Sequence, residues 1–223
     1  MKILLVSATR AEIAPAISYL NSNAKTISFS QYEYKGMTLF PLVSGIGSTM
    51  MAFALARFKG LQDFNLIIHA GISGSYHSHI NIGSMVEVVS EQWGDLGAEK
   101  ADGDFLNIFE MDLMDPNRFP YHKSVLLNSK HVTQTGLIPV KGLTVNRTSG
   151  SKNTISRLKE KFECDVESME GAGMFYAAKI LDIPFVSLRC ISNFVEPRDK
   201  SKWKIPEAIE ILNENIITYL NKL

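Results

Sequence analysis

Short, wholly apolar runs alternate along this chain with stretches whose apolar residues recur every three or four positions. That alternation predicts a layered α/β domain, with strands covered by helices. Residues 2–7 (KILLVS) predict a first buried strand, and 11–21 a helix with Ile13, Ile17 and Leu20 on one face. Residues 25–30 and 37–43 predict a hairpin turning at Tyr34-Lys35-Gly36. A helix over 48–58 follows Ser44-Gly45-Ile46-Gly47, and the strand 65–70 (NLIIHA) runs into a loop, Gly71-Ile72-Ser73-Gly74. Residues 84–92 carry the β-branched alternation of a strand, whereas 100–123, with Pro116 and Pro120, predict an irregular excursion. The rest reads as a helix over 151–162 (Ile155, Leu158 and Phe162 inward), a helix over 171–182 (Gly171, Phe175, Ala178 and Leu181 on one face), a strand over 185–191 after Pro184, and a closing helix over 206–222 with Ile209, Leu212, Ile216 and Leu220 toward the body.

Several strands are apolar at every position, which marks burial on both faces. In folds of that kind ligands sit beyond the carboxyl ends of the strands. Ala8 to Glu12, Ser44 to Gly47, Gly71 to Gly74 and Asn193 fall there. No repeat or linker divides the chain, so residues 1–223 are expected to form one domain.

Charge narrows the function. Lys+Arg and Asp+Glu both total 23, so bulk charge favours neither nucleic acid nor an anionic membrane as partner. A small ligand fits better, and near-zero net charge is compatible with self-association. The run Ile3–Val6 is too short for a secretory leader, and no stretch reaches the roughly 18 apolar residues of a membrane span. Cys164 and Cys190 form no redox or metal motif, which suits buried thiols in a cytoplasmic protein.

Several chemistries lack their motifs. Gly45-Ile46-Gly47 has no third glycine of a dinucleotide fingerprint, and neither Ser44 nor Ser73 lies in a nucleophile elbow. His77-Ser78-His79 has no third ligand nearby and reads as a solvated loop, so no metal is expected. His69, ending a strand, reads as a structural hydrogen-bonding residue. Taken singly, Glu12 and Glu170 could be helix-start carboxylates, Met169 a core residue, and Ser44 a capping serine in a tight turn.

Together they resemble a family. VESMEGAG and FVSLRCISN (166–173 and 185–193), the early Glu12, and VSGIGSTMMA (43–52) are similar to the nucleoside phosphorylase and nucleosidase superfamily over nearly the whole chain. EQWGDLGAE (91–99), TVNRTSG (144–150) and the asparagine ending the last block look most like its futalosine hydrolase branch. The resemblance implies a three-layer α/β sandwich with a central mixed, twisted sheet, no cofactor, and a homodimer or larger homo-oligomer. It also implies a purine N-ribosyl hydrolase releasing hypoxanthine from futalosine in a menaquinone-biosynthesis route. The alternatives are a methylthioadenosine/adenosylhomocysteine nucleosidase, a purine nucleoside phosphorylase, or a catalytically silent binding protein.

The resemblance also implies roles. Glu12 would be the general base for water, and Glu170 would accept the ribose hydroxyls with Met169 against the sugar. Ser44, Gly45 and Ile46 would line the sugar side, Arg147 and Thr148 the purine. Asn193 would stabilise the leaving base through its two amide donors. That choice suits a 6-oxopurine, whose O6 and N7 are both acceptors, where relatives that cleave aminopurines usually carry aspartate. Phosphorylases carry an arginine just before the segment equivalent to Ser44-Gly45; here Phe40-Pro41-Leu42-Val43 is uncharged, which favours water over phosphate. Arg10, Trp93, His69 and Arg147 are the candidates to receive a 5′ substituent carrying a carboxylate and a ring.

Overall fold

The computed structural model describes residues 1–101, 103–128 and 135–223. In chain order the strands and helices are β1 (Lys2–Ser7), α1 (Arg10–Asn23), β2 (Lys25–Ser28), β3 (Gln31–Tyr34), β4 (Met37–Val43), α2 (Ser48–Arg57), β5 (Leu66–Ser75), β6 (Met85–Trp93), β7 (Gly97–Glu99), β8 (Phe105–Asn107), β9 (Leu126–Leu127), β10 (Ile138–Thr144), α3 (Lys152–Lys161), β11 (Val166–Ser168), α4 (Gly171–Ile180), β12 (Phe185–Phe194) and α5 (Ile205–Lys222).

A mixed sheet in the order β11-β10-β6-β12-β5-β1-β4-β3-β2 forms the centre. β11 also pairs with β5, antiparallel, at Val166↔Ser75 and Glu167↔Gly74. Five strands (β5, β12, β6, β10, β11) therefore close on themselves, and β1 to β4 extend from that ring as an open sheet. On one face Leu4, Val6, Ile67, Val86 and Val166 pack with α2 and α4. On the other, Ile3, Leu5, Ile68, Val186 and Leu188 pack with α1 and α5. This is the three-layer arrangement expected, with the sheet curled at one end.

Four local expectations change. The predicted hairpin is three strands, because Gln31–Tyr34 forms its own strand, with Tyr32 and Tyr34 buried against α1. Gly71–Gly74 is not a loop but the end of β5. β12 runs past 191 to Phe194, with an irregularity at Ser192 that shifts the register and brings Asn193 opposite Gly74. Leu181, expected inward, is 40% exposed beyond the end of α4.

Two packing features position the site. Gly173 lets α4 approach α2: a Cβ there would lie 2.4 Å from the Ser48 carbonyl oxygen. That approach brings both helix N-termini together. In α1, Pro15 interrupts the backbone ladder. Asn213 of α5 inserts at that turn, accepting from the Ala16 N–H (2.9 Å) and donating to the Glu12 carbonyl (2.9 Å). It replaces one i→i−4 bond with two side-chain bonds and ties the Glu12 backbone to the C-terminal helix.

Candidate active site

A cavity of about 340 Å³ opens at the carboxyl ends of β1, β5, β11 and β12, with Glu12, Met169, Glu170 and Asn193 in its wall. At one end lie carboxylates. Glu12 Oε2 accepts from the Thr9 N–H (2.8 Å) and hydroxyl (2.9 Å), so it does cap its own helix. Its Oε1 turns to β5, 3.3 Å from the Ile72 N–H. Glu170 Oε1 accepts from the Gly47 N–H at 2.8 Å, and the Ser48 hydroxyl donates to the Met169 carbonyl at 3.0 Å. Gly47 can present that N–H because its φ of 97° suits glycine.

Beneath this end lies Arg189, 1% exposed. Its Nη1 donates to the Leu188 carbonyl (3.0 Å), and its Nη2 lies 3.1 and 2.9 Å from the two ring nitrogens of His69. Burial pushes the guanidinium pKa down, and the nearby charges of Glu170, Glu91 and Glu12 push it back up. Burial raises the Glu170 pKa, opposed by the Gly47 N–H and Arg189. Glu91, which accepts from Thr144 Oγ1 at 2.8 Å, is pushed by burial up to about 7. The same Thr144 oxygen accepts the Ala172 N–H at 2.7 Å, fixing the first turn of α4. Burial, then Arg189, hold His69 well below the usual imidazole range, so it is neutral. Glu170, Glu91 and Glu12 thus stand around one buried guanidinium at the cavity floor.

At the other end Asn193 lies against Gly74, its Nδ2 3.1 Å from where a Cβ would stand. Nδ2 donates to the Phe194 carbonyl (2.9 Å), and Oδ1 accepts from Ser192 Oγ (2.8 Å). The carbonyl partner fixes which amide atom is nitrogen. It also corrects the sequence argument: one amide donor is engaged, so one, not two, is free for a ligand. Opposite stands Glu167. Its Oε2 accepts from the Tyr76 hydroxyl (2.6 Å) and Ser149 Oγ (2.6 Å), and its Oε1 from the Ser149 N–H (2.9 Å).

The expected residues divide. Glu12, Ile46, Thr148, Met169, Glu170 and Asn193 line this one cavity. Ser44 and Gly45 do not: the Ser44 hydroxyl lies 2.8 Å from the Gly45 carbonyl, and the Gly45 N–H donates to Ala8 at 3.1 Å. The backbone donor facing Glu170 comes from Gly47 instead. Arg147 points to a separate cavity of about 620 Å³ on the far side of the 145–151 loop, lined also by Arg157 and Lys161. Though larger, that cavity holds none of the paired acid and amide groups. His69 lies under the floor, as a structural partner of Arg189 and Ser187. Trp93 donates to the Tyr121 hydroxyl at 3.0 Å and packs in the core, so neither residue reaches a ligand. His77 meets Asp165 at 3.3 Å and stacks on His79.

Sequence reasoning missed Arg189, Glu167 and Ser168, and reached Ser73 only as part of the Gly71–Gly74 segment at the strand ends. A charge inside the apolar run FVSLRCISN was a signal, since a buried arginine needs polar partners and nearby opposite charge. The hydroxyls of Ser73 and Ser168 are buried with no partner among the described residues, and both residues line the cavity; nothing in sequence marks Ser168.

Comparison with known proteins bears on this geometry. The family model described as "Phosphorylase superfamily" matches residues 2–222. Futalosine hydrolase of Streptomyces coelicolor is 31% identical over 181 residues, 78% of this chain and 75% of that protein. A 5'-methylthioadenosine/S-adenosylhomocysteine nucleosidase of Psychromonas ingrahamii is 25% identical over 240 residues, 99% of this chain and 100% of that protein. The structure of futalosine hydrolase from Helicobacter pylori superposes with a TM-score of 0.82 at 14% identity, covering 100% of this chain and 98% of the other.

Proposed function

The chain belongs to the phosphorylase superfamily, and on that premise we propose that it hydrolyses the N-glycosidic bond of a purine nucleoside, most specifically futalosine, releasing hypoxanthine in menaquinone biosynthesis. The observation that carries this reading is the single cavity with Glu12 and Glu170 at one end and Asn193 at the other.

Breaking this bond builds positive charge on the ribose and negative charge on the base. Glu12 Oε1, directed to the floor near Ile72, is the base that takes a proton from water. Glu170, held by Gly47, accepts the ribose 2′ and 3′ hydroxyls. Met169 lies against the sugar and Ile46 closes its side. Arg189 places a positive charge beside Glu170 and Glu12 without touching solvent. Asn193 offers its free amide hydrogen to the departing base, and Thr148 lies beside it. Arg10, exposed next to Thr9 at the cavity rim, is left as the cation for a 5′ carboxylate.

Methylthioadenosine cleavage is the second reading, favoured by the similarity to the Psychromonas ingrahamii nucleosidase. Against it stands the amide at 193, and against phosphorolysis stands the uncharged Phe40–Val43. A homodimer or larger assembly is part of the proposal. Met50 and Phe53 on α2, and Tyr176 and Ile180 on the adjoining α4, form an exposed apolar face next to Ile46, and the 100–123 excursion is the segment to reach a neighbour. The site of action is the cytoplasm.

The deciding experiment measures base release from futalosine, inosine and methylthioadenosine, each with and without phosphate. Phosphate-independent hypoxanthine release from futalosine is expected. Strict phosphate dependence, or preference for methylthioadenosine, overturns the reading.

A further inference from the structure

Glu167 takes no part in the chemistry just described, yet its carboxylate is 6% exposed and lines the nucleoside cavity. Its place in the sheet is specific. Glu167 on β11 and Asn193 on β12 both pair with Gly74 on the strand between them. Residues in one row across adjacent strands point to the same face. Two strand spacings separate the flanking Cα atoms by roughly 10 Å, and the residue between them has no side chain. An acceptor and a donor therefore flank a slot floored by Gly74 and Val195, whose Cγ2 lies 2.9 Å from where a Gly74 Cβ would stand.

The two edges of the slot differ in what they can read. Asn193, its amide orientation held by Ser192 and Phe194, faces only the O6 and N7 side of the base and leaves N1 unread. A carboxylate is an acceptor in any orientation. A 6-oxopurine presents N1–H, a donor, beside O6, an acceptor; a 6-aminopurine presents the reverse, a bare N1 beside an NH₂. With one Asn193 donor already held by Phe194, the amide covers only one of O6 and N7. The N1–H, a donor, calls for an acceptor, and the group opposite is one.

We infer that Glu167 determines base identity by accepting the N1–H of a 6-oxopurine and repelling the N1 lone pair of a 6-aminopurine. The inference rests on the nucleoside-hydrolase reading above and names the specificity residue of that site. Oε1 accepts from the Ser149 N–H and keeps a second lone pair for the base. The bonds donated by the Tyr76 and Ser149 hydroxyls fix the carboxylate against the loop that walls the same end. The competing role is a loop latch and nothing more, and the two roles make different predictions.

The test compares kcat/KM for inosine against adenosine, and futalosine against its 6-amino analogue, in wild type, Glu167→Gln and Tyr76→Phe. The inference expects Glu167→Gln to lower the oxo-to-amino ratio ten- to a hundredfold, the range of a charged hydrogen bond. Tyr76→Phe disturbs the latch but keeps the acceptor, so both substrates should fall together with the ratio held within threefold. A ratio unchanged in Glu167→Gln, with both activities lowered alike, leaves only the latch and overturns the inference. Wild type alone gives a second measurement if the variant does not fold. Replacing the N1 lone pair by C–H in 1-deazaadenine should tighten binding at least tenfold over adenine by calorimetry; equal affinities overturn the inference. Wild type releasing no base from any 6-oxo nucleoside defeats the hydrolase reading itself, a result distinct from hypoxanthine release that is indifferent to residue 167.

Discussion

The two ends of the cavity are built on opposite principles. The end with Glu12 and Glu170 is assembled from helix starts: both carboxylates accept backbone N–H groups, and a buried arginine beneath them holds the charge balance. The end with Asn193 and Glu167 is assembled from strand side chains and one loop, joined by neighbouring side chains and the Ser149 backbone. Backbone donors cannot be substituted away, so the first end has little freedom to change. Side-chain partners can, so the second can alter which base it accepts without disturbing the acid pair. The difference assigns reaction type to the first end and specificity to the second.

Substitutions can break or sharpen this contrast. The largest effect belongs to Glu12→Gln, which keeps shape and removes a base. Turnover should fall by about three orders of magnitude or more with ligand affinity retained, read from single-turnover rates and calorimetry; near-wild-type turnover would take Glu12 out of its role. Glu170→Gln comes next. It keeps one acceptor and loses the charge, so kcat/KM should fall by about 10²-fold, and equally for 6-oxo and 6-amino substrates; an effect on one class alone would blur the division between the ends. Asn193→Asp addresses the other end. The oxo-to-amino ratio should drop by roughly tenfold while turnover on the better substrate stays within the same decade.

The smallest effect concerns stability. Glu91 has its folded pKa raised to about 7 by burial. Between its usual value and that one the folded state binds more protons than the unfolded state, so stability is full at low pH and falls as pH rises toward 7. Thr144, Arg189 and Glu170 are the groups that act on it. Glu91→Gln should remove this slope and raise Tm by a few degrees (on the order of 1–2 kcal/mol) at pH 8 but not at pH 4.5. Thermal melts across that range check it; an unchanged slope would place the charge balance elsewhere.

The contrast also explains what was legible in the sequence. Glu12, Met169 and Glu170 follow local signals, a strand end and a glycine-marked helix start, and the cavity contains them. The base end depends on pairing between distant strands. β11 has only three residues, and β10 (IPVKGLT) carries proline, lysine and glycine in place of alternation, so neither has a readable period. Without β11 there is no reason to set Glu167 opposite Gly74. The register shift at Ser192, which brings Asn193 to the same row, has no sequence signature either. Ser44 failed as a contact for a local reason: its hydroxyl is taken by neighbouring carbonyls in its own turn.

The closed ring of β5, β12, β6, β10 and β11 has a kinetic consequence. Its last seam joins Glu167 to Gly74, some ninety residues apart in sequence, and the strands flanking it, β10 and β12, come one from between them and one from after both. Such a seam forms only after long loops have closed, so the chain should fold slowly and acquire ligand affinity late, in one step. Amides in β5 and β12 then exchange with solvent only through global opening, whereas those of the β2–β3 edge, outside the ring, exchange through local fraying.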